Sequence, residues 1–294
     1  MKKIITVSVI VLFALISFAQ SEFMISMTAS DFGIRGPVRT VKAVYPEDDM
    51  DFEDDEYILP AYSVQTFDTA GNLISEIAYD KDGNEINAMF FNYENGKLVS
   101  LTGREGGVEQ AIGEVVIENG KIVSITVDDI EGESVVAMEY DEKGRLIAQR
   151  ISGISEGMEM EFAITFKYDD NDNLIEEALE MMGMLLSKTV YVFENNLKVE
   201  QLEYMYMFAE PGTEPDPISS VFEYNEMGDV ARKISDSYWG EEKEVSVFEY
   251  VYDSMGNYIY KVEFYVFSLE DLEDENWKDS AMIMQEETRE IEYY

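Results

Sequence analysis

Acidic side chains dominate the chemistry open to this chain: 62 Asp and Glu, with no His and no Cys. Two stretches crowd oxygen donors as calcium loops do, Asp80-Lys81-Asp82-Gly83-Asn84-Glu85 and Asp169-Asp170-Asn171-Asp172-Asn173. An EF-hand loop needs a bidentate Glu at its twelfth position. Counting from Asp80, that place is Phe91, inside an alternating strand pattern. We therefore read both stretches as turns. Glycoside hydrolysis needs two carboxyl groups about 5–10 Å apart, but so many acids make such pairs by chance. Ser187-Lys188 are neighbours on a strand pattern and point to opposite faces, which argues against a Ser-Lys pair. Residues 103–113 are glycine-rich but lack the Lys-Ser/Thr of a phosphate loop. The missing imidazole and thiolate exclude zinc fingers, haem ligated through His or Cys, cysteine-ligated clusters, disulfides, and Ser-His-Asp or Cys-His catalysis. The expectation is a protein without catalytic residues, cofactor or metal.

The chain has 294 residues and a net charge of −41. That balance argues against a nucleic-acid partner, which is bound through clustered Lys and Arg. Hydrophobic residues at 46% and aromatic residues at 13% are enough to build a core. Residues 1–19 read as a secretory signal peptide: Lys2 and Lys3, an apolar run from Ile4 to Ile16, then Ser17-Phe18-Ala19 before the expected cleavage site. Cleavage would make the chain two charges more acidic. No second long apolar run exists, so no transmembrane helix is expected after cleavage. The expected location is exported, periplasmic or extracellular.

The elements that position these side chains follow from one recurring pattern: an aromatic, an Asp, Glu or Asn, two variable residues, Gly or Asn, a polar residue and an aliphatic one. It begins at Phe67 with Gly71, Tyr79 with Gly83, Tyr140 with Gly144, Tyr224 with Gly228, and Tyr252 with Gly256. Shorter copies start at Tyr93 with Gly96 and at Ile117 with Gly120. Tyr168 starts a copy that has Asp172 in the glycine place, and Phe193-Glu194-Asn195-Asn196-Leu197 is a shortened one. From Tyr93 onward the copies lie 23–31 residues apart, a repeat period.

Each copy reads as a β-hairpin. Asp or Asn at the turn entrance accepts backbone N–H groups ahead of it, and Gly or Asn supplies the positive φ. The flanks alternate with period two. Met160, Phe162, Ile164, Phe166 and Tyr168 share a face, as do Phe248, Tyr250 and Tyr252; Tyr258, Tyr260, Val262, Phe264 and Val266 form a third such set. Val38–Tyr45 reads as a first strand, 47–56 as an exposed acidic loop, 209–217 as a long Pro-rich loop, 268–280 as a short helix starting at Ser268, and 282–294 as a last strand. The fold class is all-β: a meander of antiparallel hairpin repeats forming a curled sheet, sandwich-like or open barrel-like. We read residues 20–294 as a single β-repeat domain with its clearest repeats over 62–265.

The Tyr-Asp-x-x-Gly-x-Leu copies resemble the YD repeats of RHS-type bacterial secreted proteins over residues 62–265. Such repeats build shells and scaffolds, so the resemblance implies an exported structural protein. Large members enclose a C-terminal toxin; here no length is left for a cargo domain. The expected role is a non-catalytic structural or binding module whose partner is an envelope protein or a glycan. Two alternatives follow from other features. Tyr rows such as Tyr204 and Tyr206 could stack on sugars or extended peptides, although core and cross-strand packing accounts for the same residues. Period-two strands behind a signal peptide also suit an outer-membrane barrel, but Leu73–Tyr79 spans seven residues where about 9–11 are needed.

Overall fold

The computed structural model describes residues 28–30, 32–45, 60–105, 107–110, 113–128, 133–155, 158–210, 212–237, 243–274 and 276–294. The expected signal peptide and acidic 47–56 run lie outside the described residues. Nineteen strands form one antiparallel sheet. The first eight are β1 (Val38–Val44), β2 (Tyr62–Phe67), β3 (Leu73–Tyr79), β4 (Glu85–Glu94), β5 (Lys97–Glu105), β6 (Val108–Gln110), β7 (Glu114–Glu118) and β8 (Lys121–Asp128). Then come β9 (Glu133–Tyr140), β10 (Leu146–Ser155), β11 (Met158–Tyr168), β12 (Leu174–Met181), β13 (Met184–Glu194) and β14 (Leu197–Met205). The last five are β15 (Ile218–Tyr224), β16 (Val230–Asp236), β17 (Lys243–Tyr252), β18 (Tyr258–Val266) and β19 (Met282–Tyr293). Residues 268–280 form two 3₁₀ turns, Asp271–Glu273 and Trp277–Asp279, in place of the expected helix. Ser268 Oγ accepts the Asp271 N–H at 3.2 Å, but the N-cap residue of the first turn is Glu270, without a side-chain cap bond.

The chain divides into two compact units. One comprises Met1–Ile130, Tyr250–Lys261 and Glu286–Tyr294; the other comprises Glu131–Glu249 and Val262–Gln285. In the first, β1 pairs with β2 on one side and with β19 on the other. First and last strands are therefore neighbours, and β1 has no free edge to recruit another chain.

Turn chemistry sets the meander. In six copies the residue at the turn entrance (Asp68, Asp80, Asp141, Asp169, Asn225, Asp253) exchanges backbone bonds across the loop: its N–H donates to the carbonyl four residues on, and its own carbonyl accepts the N–H three residues on. Gly71, Gly83, Gly144, Gly228 and Gly256 fill that third place with φ between 80° and 87°, a region L side chains seldom enter. Asp172 takes the same place at φ 68°, and its carboxylate is held by Lys143 at 2.7 Å and Arg145 at 2.6 Å. The shorter copies are two-residue turns with both residues at positive φ: Asn95-Gly96, Asn119-Gly120 and Asn195-Asn196.

A β-bulge follows the motif turns from the Phe67 copy to the Tyr224 copy. Tyr168 pairs with Leu174 but Lys167 with Glu176, so Ile175 is the extra residue. Ile74, Ile86, Val99 and Ala231 are extra in the same way after Phe67, Tyr79, Tyr93 and Tyr224. An extra residue flips the alternation, so a period-two face cannot be carried from one side of a turn to the other. Phe193 pairs with Lys198 as Tyr93 pairs with Leu98, but here the aliphatic residue comes one place earlier in the sequence, and Leu197 is 39% exposed.

The N-terminal segment clasps two turns in the first unit. Ala29 N–H donates to Gly71 O at 2.9 Å, and Phe32 packs edge-on against the fully buried Phe67. Asn257, buried at the end of the last turn, accepts the Arg35 N–H at 2.7 Å and donates to Arg35 O at 2.8 Å and Tyr293 Oη at 2.7 Å. Asn84 holds the same motif position but bonds only within its own turn and is exposed. Asn257→Ala should therefore lower stability in urea by about 2–3 kcal/mol, since it removes three bonds made by a buried amide, whereas Asn84→Ala should lose about 1 kcal/mol or less. Equal losses in the two variants would show that the clasp contributes nothing beyond the turn.

Candidate functional site

The motif residues come first, because their recurrence is the strongest signal in the chain. Asp169 Oδ1 accepts the N–H groups of Asn171 and Asn173 at 2.8 and 2.9 Å, and Oδ2 accepts the Asn173 amide at 2.9 Å. Asp80 does the same toward Asp82 and Asn84, and Asp68 toward Ala70 and Asn72. These bonds favour the charged form: the Asn173 amide holds Asp169 below the ordinary Asp value, as the Asn84 amide holds Asp80. The first carboxylate of each calcium-like stretch, Asp80 and Asp169, is thus engaged by its own turn, while Glu85 pairs with Arg104 and Asp172 with Lys143 and Arg145. Among the described residues no acids gather into a group that could hold a metal.

The repeat aromatics join one copy to the one before. The Tyr168 hydroxyl donates to Leu146 O at 2.8 Å, the aliphatic place of the preceding copy, while Arg145 lies 4.7 Å from the Tyr168 ring centre. The Tyr224 hydroxyl donates to Lys198 O at 2.6 Å, and Lys198 Nζ lies over Phe222 at 4.5 Å. Tyr294, beyond the repeats, donates to Phe67 O at 2.6 Å. Tyr79 stacks on Tyr62 at 4.8 Å and Tyr252 on Tyr250 at 5.8 Å. Tyr140 donates to Met138 Sδ at 3.7 Å. Tyr93 and Phe193 are half-buried across from Leu98 and Lys198. Gly96 and Gly120 complete the two-residue turns, and a Cβ on Gly120 would meet Lys97 Cβ at 3.2 Å.

Two polar groupings on the buried face were not legible in the motifs. In the first unit, Arg289 lies 3.8 Å from the Tyr258 ring centre, and its Nε donates to Glu287 Oε1 at 2.6 Å. Tyr258 donates to Glu287 Oε2 at 3.3 Å, and Tyr45 and Ser63 hydroxyls meet at 3.1 Å. Burial pushes the Glu76 carboxyl up, opposed by a hydrogen bond from Gln65. In the second unit, Glu177 stands across from Phe166 and Thr189. Burial pushes its carboxyl up against a hydrogen bond from Tyr191, and its Oε2 is buried without a hydrogen-bond partner. A raised carboxyl is the kind of group used as a general acid. Here neither registered neighbour titrates, and burial alone accounts for the direction.

Tyr204 and Tyr206 do not form an open row. Tyr206 leaves the strand in a 3₁₀ turn, Tyr206–Phe208. Lys188 Nζ lies over both rings, at 4.4 and 5.8 Å, and pairs with Glu214 at 3.1 Å. The loop that follows borders an open cavity of about 350 Å³ beside β14 and β15. Its walls are Met205, Phe208, Pro215 and Ile218, with Glu203 and Asp216 beside them.

No family model and no curated protein matches the chain. Among solved structures, a porin-like protein from Bacteroides uniformis is similar at 10% identity and a TM-score of 0.44, over 88% of this chain and 98% of its own. The TcdB2-TccC3-Cdc42 complex is similar at 12% identity and a TM-score of 0.31, over 69% of this chain and 14% of its own.

The sign of the Glu177 effect gives a pH test. A carboxyl held above its ordinary value of about 4.3 costs nothing while it is neutral in both states, and stability is lost as pH rises through the folded value. Glu177→Gln should therefore melt higher than the native chain at pH 8, with the gap closing by pH 4. A gap of the same size at both values would mean that Glu177 is not a strained ionisable group.

Proposed function

We propose that the chain is an exported, non-catalytic repeat protein of the bacterial cell envelope, of the YD-repeat kind, acting as a scaffold or binding module for an envelope protein or a glycan. The observation that carries this reading is where the motif chemistry goes. The recurring Asp accepts its own turn's N–H groups, and the recurring Tyr donates to the preceding copy's backbone in the two clearest cases. A motif whose polar atoms serve the fold reads as architecture. The N-terminal Lys-Lys, apolar run and small-residue site support export.

A lipid-facing barrel fits less well. In the second unit the apolar face of β11 is buried at Ile164 and Phe166, while Glu159, Glu161 and Lys167 are exposed. The same exposed face carries ion pairs between Arg150 and Glu139, Lys167 and Glu176, and Arg232 and Glu223. A basic side chain at the bilayer midplane costs roughly 2–4 kcal/mol.

Expression of the full chain with a C-terminal epitope in a Gram-negative host, followed by fractionation and N-terminal sequencing, tests the reading. The expected product begins at Gln20 and is found in the periplasm or at the surface. An intact N-terminus in the cytoplasm would overturn it.

A further inference from the structure

The turns of the second unit on the side away from the Asp-x-x-Gly loops carry apolar side chains that the sheet does not bury. Phe208 is 81% exposed, Met207 53%, Met184 60% and Met182 54%. Ser187 on β13 pairs with Met205 on β14, so the strand ends bearing Met184 and Phe208 lie side by side. Met182 forms the tight β12–β13 turn at φ 50° with Gly183. A methionine at positive φ on a turn tip is unfavourable both for backbone and for solvation, so its presence calls for a role that the sheet itself does not supply.

Beside this apolar group lies the cavity of the 206–217 loop. Glu214 there is neutralised by Lys188 and accepts the Tyr206 hydroxyl at 3.3 Å. Glu203 and Asp216, by contrast, have no basic partner among the described residues. Glu203 is flanked in register by Thr189 and Ile218, neither of them charged. Two carboxylates without counter-charge therefore sit at an open cavity whose apolar wall is Met205, the exposed Phe208, Pro215 and Ile218.

We propose that this cavity, together with the exposed methionines of the neighbouring strand end, forms a docking seat for a basic amphipathic segment of another protein. The proposal rests on the binding-module reading above and gives that module its site and class of partner. Methionine adapts its shape to varied apolar side chains and suits surfaces that accept peptides. An amphipathic helix lays its apolar face into such a groove. Its Lys or Arg residues would pair with Glu203 and Asp216, and the −41 charge of the chain would steer a basic partner toward it. An acidic or neutral segment would leave both carboxylates uncompensated against apolar surface.

The test uses the full mature chain and a fluorescent 18-residue Leu/Lys amphipathic peptide at 150 mM salt, with Leu/Glu and Leu/Ser peptides of the same pattern as controls. Saturable one-to-one binding of the Leu/Lys peptide alone is expected. Phe208→Ser, and separately the pair Glu203→Gln with Asp216→Asn, should each weaken it about tenfold or more, equivalent to about 1.4 kcal/mol. The pair Glu159→Gln with Glu161→Gln removes the same charge from an exposed strand face and should leave binding within about twofold. Equal weakening by the two charge pairs would reduce the effect to general electrostatics and overturn the seat. So would unchanged binding in Phe208→Ser, avid binding of the native chain to phosphatidylcholine vesicles, or a dimer that Phe208→Ser dissociates. Loss of the seat with the processed chain still found in the envelope leaves the exported-scaffold reading standing, whereas a cytoplasmic unprocessed chain defeats that reading by itself.

Discussion

The structure depends on a carboxylate that closes its own turn. An Asp at the entrance of a four-residue loop accepts two backbone N–H groups that the sheet cannot satisfy, and the Gly or Asp three residues on takes the positive φ that turns the chain back. Without that acceptor the loop N–H groups would face the exposed rim unpaired, and the hairpin would lose its fixed register. The same bonds explain how so acidic a chain folds. Each such Asp keeps its charge at a place where backbone dipoles welcome it, so part of the negative charge stabilises the fold rather than opposing it.

A turn fixes one hairpin; the tyrosines fix hairpins to each other. Tyr168 and Tyr224 donate to the neighbouring strand, to the backbone of the preceding copy, where Arg145 and Lys198 also lie against aromatic rings. Each contact combines a buried hydroxyl bond with cation–π packing. In the first unit the segment before β1 and the last residues of β19 take over that function. Arg35 and Tyr293 converge on Asn257, and Tyr294 reaches Phe67. The segment before β1 and the end of β19 are thereby tied to two turns, and β1 receives β19 on the side away from β2.

Much of this was legible in the sequence because turn chemistry is local. Asp, Gly and Asn at fixed offsets within seven residues determine a hairpin, so the all-β class and the meander followed from Phe67, Tyr79, Tyr140, Tyr168, Tyr224 and Tyr252 and their downstream glycines. The remainder depends on partners far apart in the chain or on departures from regularity. The bulges at Ile74, Ile86 and Ile175 look like ordinary strand residues, and only pairing with the opposite strand shows them to be extra. Met182-Gly183 is a turn without a turn-forming residue at its first position. The clasp on Asn257 joins residues 222 positions apart, and Tyr204 and Tyr206 gave no sign that Lys188 would cover them. Burial of Glu177 is likewise a property of the packed face rather than of its neighbours in sequence.

The central claim is that the tyrosine of the repeat motif is a structural tie between copies. Urea unfolding of Tyr168→Phe, Tyr224→Phe and the double variant tests it most directly, because only a hydroxyl is removed. The account predicts a loss of about 1 kcal/mol for each single variant, with the two losses adding in the double variant to within about 0.5 kcal/mol. Unchanged stability in both single variants would contradict it, and would mean that the recurring tyrosine is kept for something other than the fold.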